Sequence, residues 1–314
     1  MHTISVKGQA IAVPSVEVGN ARIVATGKLI RTAAVHDEEW LDAATLGDPE
    51  RHLAPFGRSL KADIFSFTQR IPDTQPHYSY PLEWDNAAVV PITTYKDWWE
   101  KLSQESRRNV RIAAKKGVVT RRLDFDDQLV EGIAAIYNES PIRLGKRFWH
   151  YGKSFDTVKR DNSSYLDRSD FIGAFFEGQL IGFVKVVYVD KIGSIMQILS
   201  MIRHQDKRTT NALIAKALEV CEAKGMAYLM YCKYIYGANA QSQLTEFKRR
   251  NGFVKVDFPR YYVPLTLRGQ LAIKFKVHRG VKQLLPPRLL GFALRIRAQY
   301  HSVRSADTRS PVAS

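Results

Sequence analysis

Residues 170–201 hold three apolar runs set almost back to back. The runs 170–176 and 179–189 flank the dipeptide Glu177-Gly178, and 193–201 follows Asp190-Lys191. Links this short reverse a chain, so the spacing predicts three strands in an antiparallel meander. The period then changes. Residues 206–224 have helical spacing and stop at Gly225; 227–233 read as a strand rich in Tyr and Met. Residues 241–251 read as a helix stopped by Gly252, and 253–265 as a strand. Strand–helix–strand alternation implies crossover connections, whereas hairpins imply antiparallel pairing. Both demands together predict an α/β (α+β) class with a mixed sheet and helices on its faces.

Upstream, the pattern predicts one helix over 95–116 ending at Gly117, a short strand over 118–123 and an acid-started amphipathic helix over 124–138. A loop over 140–152 and a polar helix over 154–166 follow. The N-terminal third is weaker in signal. Residues 1–20 show no period, 21–32, 62–69 and 87–92 read as strands, 36–44 as a helix, and 72–84, with three prolines, as loop. The chain therefore divides into a small N-terminal α/β unit (1–94), a main domain (95–266) and a basic C-terminal extension (267–314).

Charge narrows the function. Forty-seven Lys and Arg against 31 Asp and Glu give a net +16, and residues 267–314 alone hold ten basic side chains and one acidic one. Such a balance points to anionic company: nucleic acid, anionic lipid, or a phosphate-bearing cofactor or substrate. Two cysteines, Cys221 and Cys232, are too few for a disulfide framework or a zinc site, so no metal is expected. No apolar stretch approaches the roughly 20 residues of a membrane span. The start lacks a basic segment followed by a long apolar run, so a cytoplasmic protein is expected, with peripheral contact at the inner membrane surface open to the basic tail.

The element order over about 95–266 resembles the GNAT acyltransferase fold. FIGAFFEGQLIGFVKV (171–186) is similar to that superfamily's second and third strands, and TEFKRRNGFVKV (245–256) to its last helix and strand. SRRNVRIAAKKGV (106–118) is similar to the basic helix before the acyltransferase domain of Fem-type (FemAB-like) transferases. On this resemblance the N-terminal unit is open to being a partial second copy of the fold. The resemblance implies an acyltransferase, moving an acyl group to an amine or hydroxyl by N- or O-acyl transfer, with acyl-CoA as co-substrate. In Fem-type relatives the donor can instead be an aminoacyl-tRNA.

The family's phosphate loop follows its fourth strand, where backbone N–H groups at a helix start cradle a pyrophosphate. In HQDKRTTNALIAKALE (204–219) the best register puts Lys207 at the Arg/Gln place, Thr210 at the first Gly and Ala212 at the last. The resemblance thus implies cofactor contacts from Lys207, Arg208, Thr209, Thr210, Asn211 and Ala212, with Asn239 near a cofactor-contacting Asn. The backbone of 199–201 is the expected oxyanion donor. Lys248 stands where many members carry an acidic Tyr, which leaves Tyr236 and Tyr234 as candidate acids. The loop 138–153 lies where the family shapes its acceptor pocket. There Glu139 and His150 are candidate bases. Arg143, Lys146 and Arg147 could hold an anionic acceptor, Trp149 and Tyr151 could stack on it, and mid-strand Gln197 could face the acyl group.

The acceptor is expected to be a small molecule or a cell-envelope precursor. The tail carries an apolar face at Leu289, Leu290, Phe292, Ala293, Leu294 and Ile296 among arginines. It can lie on an anionic membrane, pack on the body or contact RNA. A rival reading is a non-catalytic nucleic-acid-binding protein, supported by the basic clusters 107–122 and 248–250. Oligomeric state stays open.

Overall fold

The computed structural model describes residues 1–6, 9–49, 59–237 and 242–279. One eleven-stranded sheet organises them, in the order β3-β4-β5-β6-β15-β7-β14-β13-β12-β11-β8. Its strands are β3 (Ser15–Val18), β4 (Ala21–Thr26), β5 (Thr32–Val35), β6 (Ile64–Thr68), β7 (Leu82–Pro91), β8 (Val119–Leu123), β11 (Ser169–Phe176), β12 (Gln179–Val189), β13 (Ile192–Ser200), β14 (Tyr228–Met230) and β15 (Val254–Pro264). Two hairpins stand apart: β1 (His2–Val6) with β2 (Gln9–Val13), and β9 (Ile142–Arg143) with β10 (Lys146–Arg147). The fold is the GNAT-like mixed α/β arrangement expected. The β11–β12–β13 meander is antiparallel, and β13–β14 is parallel.

The turns that make the meander possible are strained in the way their residues allow. Glu177 and Asp190 take left-handed φ of 49° and 53°, and Gly178 follows at 79°. A left-handed non-glycine residue is uncommon, and Asp tolerates it better than most.

The helices are α1 (Ala43–Leu46), α2 (Tyr95–Lys101), α3 (Gln104–Lys115), α4 (Asp127–Tyr137), α5 (Phe155–Asn162), α6 (Thr209–Ala223), α7 (Gln243–Arg250) and α8 (Leu267–Lys274). The single helix expected over 95–116 is two. Leu102 is extended (ψ 146°), and Ser103 restarts the helix by accepting from Ser106 N with its side chain. Residues 1–20 show no period, yet the described ones among them include strands β1, β2 and β3. Apart from the β1–β2 hairpin, the strands of the N-terminal third belong to the main sheet. β7 lies between β14 and β15, so the sheet runs without interruption across residue 94.

The main core joins β11–β13 to α4 and α6, with Ile133, Ile136, Phe183, Val184, Leu213 and Leu218 fully or almost fully buried. A second core, around Phe65, Phe67 and Tyr261, lies under β4–β6 and β15. Gly182 shows why the Ile-Gly-Phe phrase matters. A Cβ there would lie 2.8 Å from Thr209 Cγ2 and 3.0 Å from the Leu199 carbonyl oxygen. Only glycine lets the start of α6 come down onto β12.

Candidate functional site

The sheet opens where β13 and β14 part. They pair only over Ile192–Ser194 and Tyr228–Met230, but β13 runs on to Ser200. On its other edge β13 stays paired with β12 as far as Ser200, and Met201 N donates to Ile181 O at 2.8 Å. Antiparallel pairing alternates, so Leu199 and Met201 turn their N–H groups to β12, while Ile198 and Ser200 turn theirs into the gap. Within the expected 199–201 segment, then, Ser200 faces the gap, and Ile198 joins it from outside. The Ser200 carbonyl points the same way and accepts from Arg143 Nη1 at 2.8 Å.

The gap leads to α6. Residues Ile202–Lys207 form a 3-10 turn, and Arg208, at φ 55°, caps α6 without a side-chain bond. Asn211 N and Ala212 N bond to Arg208 O, whereas Thr209 N and Thr210 N have no backbone acceptor among the described residues. The first N–H groups of a helix have no acceptor inside it, so the positive end of this 15-residue helix favours an anion. The side chains there mostly turn inward. Thr210 Oγ1 is 3.0 Å from Ser200 Oγ, Asn211 bonds Asn251 at 2.9 Å, and Thr209 is buried with an unpartnered hydroxyl. The Lys207 ammonium sits 4.2 Å from the Phe176 ring centre and 3.8 Å from Asp206. Arg208 alone among these cations is exposed.

On one face of β12 and β13 lies a cleft of about 780 Å³, lined by Tyr137, Trp149, His150, Lys153, Lys185 and Gln197 and closed in part by Thr3 and Ile4 of β1. Lys185 and Gln197 are register partners. The Tyr137 hydroxyl, from the last turn of α4, donates to Gln197 Oε1 at 2.8 Å, and Gln197 Nε2 is 3.3 Å from His150 Nε2. Lys153 Nζ is 3.4 Å from His150 Nδ1 and 2.7 Å from Asp161 Oδ2. Lys185 is 1% exposed and donates to Asn162 O at 2.8 Å and to Ser164 O.

Burial, helped by the Lys153 ammonium, drives the His150 pKa down to about 3. Burial also lowers Lys185 to about 8 and pushes Tyr137 up to about 12. His150 is thus neutral near pH 7 and a weak base, which argues against the base role expected of it. Its place is to hold a hydrogen-bonded wall with Gln197 and Tyr137. The other candidate base is also committed elsewhere. Glu139 accepts from Ile202 N (2.6 Å) and Arg203 N (2.9 Å) and lies 3.3 Å from Arg143, so it caps the 3-10 turn below the gap and does not line the cleft. Arg143 bonds Ser200 O and Ile136 O and covers the Phe148 ring, a supporting role in place of the substrate contact expected. Trp149 stands at the cleft rim, whereas Tyr151 is exposed and outside it.

Across the gap, Tyr236 lines a second hollow of about 510 Å³ with Glu38, Glu39, Asp85, Cys232 and Arg260. The buried Lys248 reaches up from α7, donates to Lys233 O at 2.5 Å, and lies 4.5 and 5.0 Å from the ring centres of Tyr231 and Tyr236. Burial lowers Lys248 to about 8 and raises the Tyr236 hydroxyl. Asn239 lies outside the described residues, as does the apolar run 289–296.

Tyr137, Lys153 and Lys185 are cleft residues to which sequence reasoning gave no role. Lys185 had a signal: it is the one charge inside an otherwise apolar strand. Tyr137 had none beyond its place at a helix end. Of the basic cluster 107–122, Arg111 covers Trp99, Arg121 covers Phe175, Arg122 pairs with Asp170 and Lys116 with Asp206. Much of that charge serves the fold.

No protein-family model matches the chain, and no curated protein matches it in sequence. Solved structures do. FemX aligns at TM-score 0.58 and 10% identity, over 86% of this chain and 88% of that one. L-PGS from Bacillus licheniformis aligns at 0.53 and 12%, over 82% and 85%. The C-terminal domain of a protein named as a lysylphosphatidylglycerol synthetase, from Agrobacterium fabrum, aligns at 0.51 and 14%, over 82% and 85%. At 82–86% of the chain, these likenesses extend well beyond 95–266. The chain has the GNAT-type fold in its Fem-like form.

Proposed function

We propose that this chain is an acyltransferase that moves an acyl group from a thioester, acyl-CoA being the favoured donor, to an amine or hydroxyl of a small molecule or cell-envelope precursor. The carrying observation is the gap between β13 and β14, with the Ile198 and Ser200 N–H groups turned into it and the start of α6 at its end. An acyl carbonyl in the gap and donor phosphates on Thr209 N and Thr210 N would use both sets of N–H groups. The acceptor enters along the cleft of Trp149, His150 and Gln197.

The acceptor's lone pair attacks the carbonyl carbon, and the new bond forms as negative charge collects on the carbonyl oxygen. Ile198 N–H and Ser200 N–H hold that charge. Collapse breaks the bond to sulfur. The proton released by the acceptor leaves with the thiolate, so free thiol accumulates with product.

An aminoacyl donor is the second reading. The inward-turned Lys207, and Thr210 where the family has a close-approach glycine, favour it. A melting curve with acetyl-CoA separates the two. At 100 times its dissociation constant a bound ester stabilises the fold by about 2.7 kcal/mol. No stabilisation by any CoA ester removes the thioester reading and leaves the aminoacyl one, tested by turnover of charged tRNA.

A further inference from the structure

Helix α8 carries its large apolar side chains on the outside. Gly269 and Ala272 form its buried face, and a Cβ on Gly269 would lie 2.0 Å from the Asp63 carbonyl oxygen. The Thr266 hydroxyl fixes the entry, accepting from Gly269 N at 3.0 Å and lying 3.1 Å from Asp63 Oδ1. With small residues against the body, the opposite face holds Leu267, Leu271 and Phe275, spaced at i, i+4 and i+8. They are 78%, 56% and 63% exposed. The Arg268 guanidinium donates to Leu29 O and brings Leu29, itself 62% exposed, beside the stripe. Lys28, Lys274 and Lys276 flank it, exposed and without an ion pair among the described residues.

We infer that this face docks on an anionic lipid surface. The occupant must satisfy two features at once: three or four large apolar side chains in water, and a cationic border. The chain's own residues 280–314 carry six Lys or Arg and one Asp, the same sign as the border, so they do not supply the complementary charge that the patch calls for. A second copy would bring the same sign again. RNA matches the charge and leaves Leu267, Leu271 and Phe275 in water. An anionic bilayer answers both: the apolar stripe enters the headgroup boundary and the lysines meet lipid phosphates. Eight residues at 1.5 Å each make α8 about 12 Å long, so it lies on the surface and does not cross. This inference stands apart from the transfer reaction, since no residue of the gap or cleft enters it.

Vesicle flotation of the full chain tests it, with phosphatidylcholine vesicles that contain or lack phosphatidylglycerol. The chain should float with the anionic vesicles only, and less as salt rises. Leu267→Ser, Leu271→Ser and Phe275→Ser together should reduce partitioning at least about tenfold while leaving the melting temperature unchanged or higher. Lys274→Gln with Lys276→Gln should weaken binding and flatten its salt dependence. The inference is overturned if the wild-type chain does not float, or if the triple serine variant floats as well as wild type. A triple variant that melts earlier would mean protein already covers the stripe. A wild-type dimer that the variant turns into a monomer would make the partner a second copy. Either result overturns the inference too.

Discussion

His150 and Lys185 are polar side chains sunk into the same cleft wall, and burial acts on each in a way that pH can read. A His held near pKa 3 in the native state titrates near 6.5 when unfolded, so the unfolded chain binds the extra proton first. Stability from neutral His150 is complete above about pH 6.5 and is lost as pH falls from there toward 3. The slope from this one group is about 1.4 kcal/mol per pH unit. His150→Gln should flatten the fall in melting temperature over that window and leave it unchanged above pH 7. The same argument predicts no limb from His150 in a pH–rate profile between pH 6 and 8. A limb present in wild type and absent in His150→Gln would restore the base role. Gly182 makes the other residue-scale prediction. Gly182→Val would push Thr209 off β12 at a cost of about 1–3 kcal/mol, read by chemical denaturation.

At the scale of elements, the 3-10 turn Ile202–Lys207 depends on a carboxylate from another part of the chain. Glu139→Gln keeps the shape but weakens charge-assisted bonds to Ile202 N and Arg203 N, and Glu139→Ala removes them. The alanine variant should lose about 1–3 kcal/mol, since two backbone donors lose their partner. A loss of activity with no loss of stability would instead mark Glu139 as a base. This is also where sequence reading stopped. The meander was legible because its turns are two residues long, and β12 runs over Gln179–Val189 as the apolar run predicts. The break at Ser103 was masked by helical spacing on both sides of it. Strands β1 to β3 were illegible because short, two-sided strands carry little period of their own. Gln197 and Trp149, singled out by residue type and position, lie in the cleft lining. Glu139 and Arg143 lie outside it, because each finds partners on β13 and the turn after it, about 60 residues away, and no local pattern encodes that.

At the scale of the molecule, the long sheet is what makes a site from these parts. β7 supplies β14 with its second neighbour, and β15 ties β7 to the N-terminal strands, so β14 is held in place on one side while it parts from β13 on the other. The gap, the start of α6 and the cleft thus rest on one continuous sheet, with α8 toward its far end near Asp63. The central claim is that this gap receives an activated acyl group whose phosphates sit on α6. Hydrogen exchange at single-amide resolution, with and without acetyl-CoA, measures it directly. The account predicts slowed exchange at the amides of Ile198, Ser200, Thr209 and Thr210, with little change at Leu199 and Met201, which already bond to β12. Binding that leaves those four amides unprotected, or protects a different face of the sheet, would contradict it.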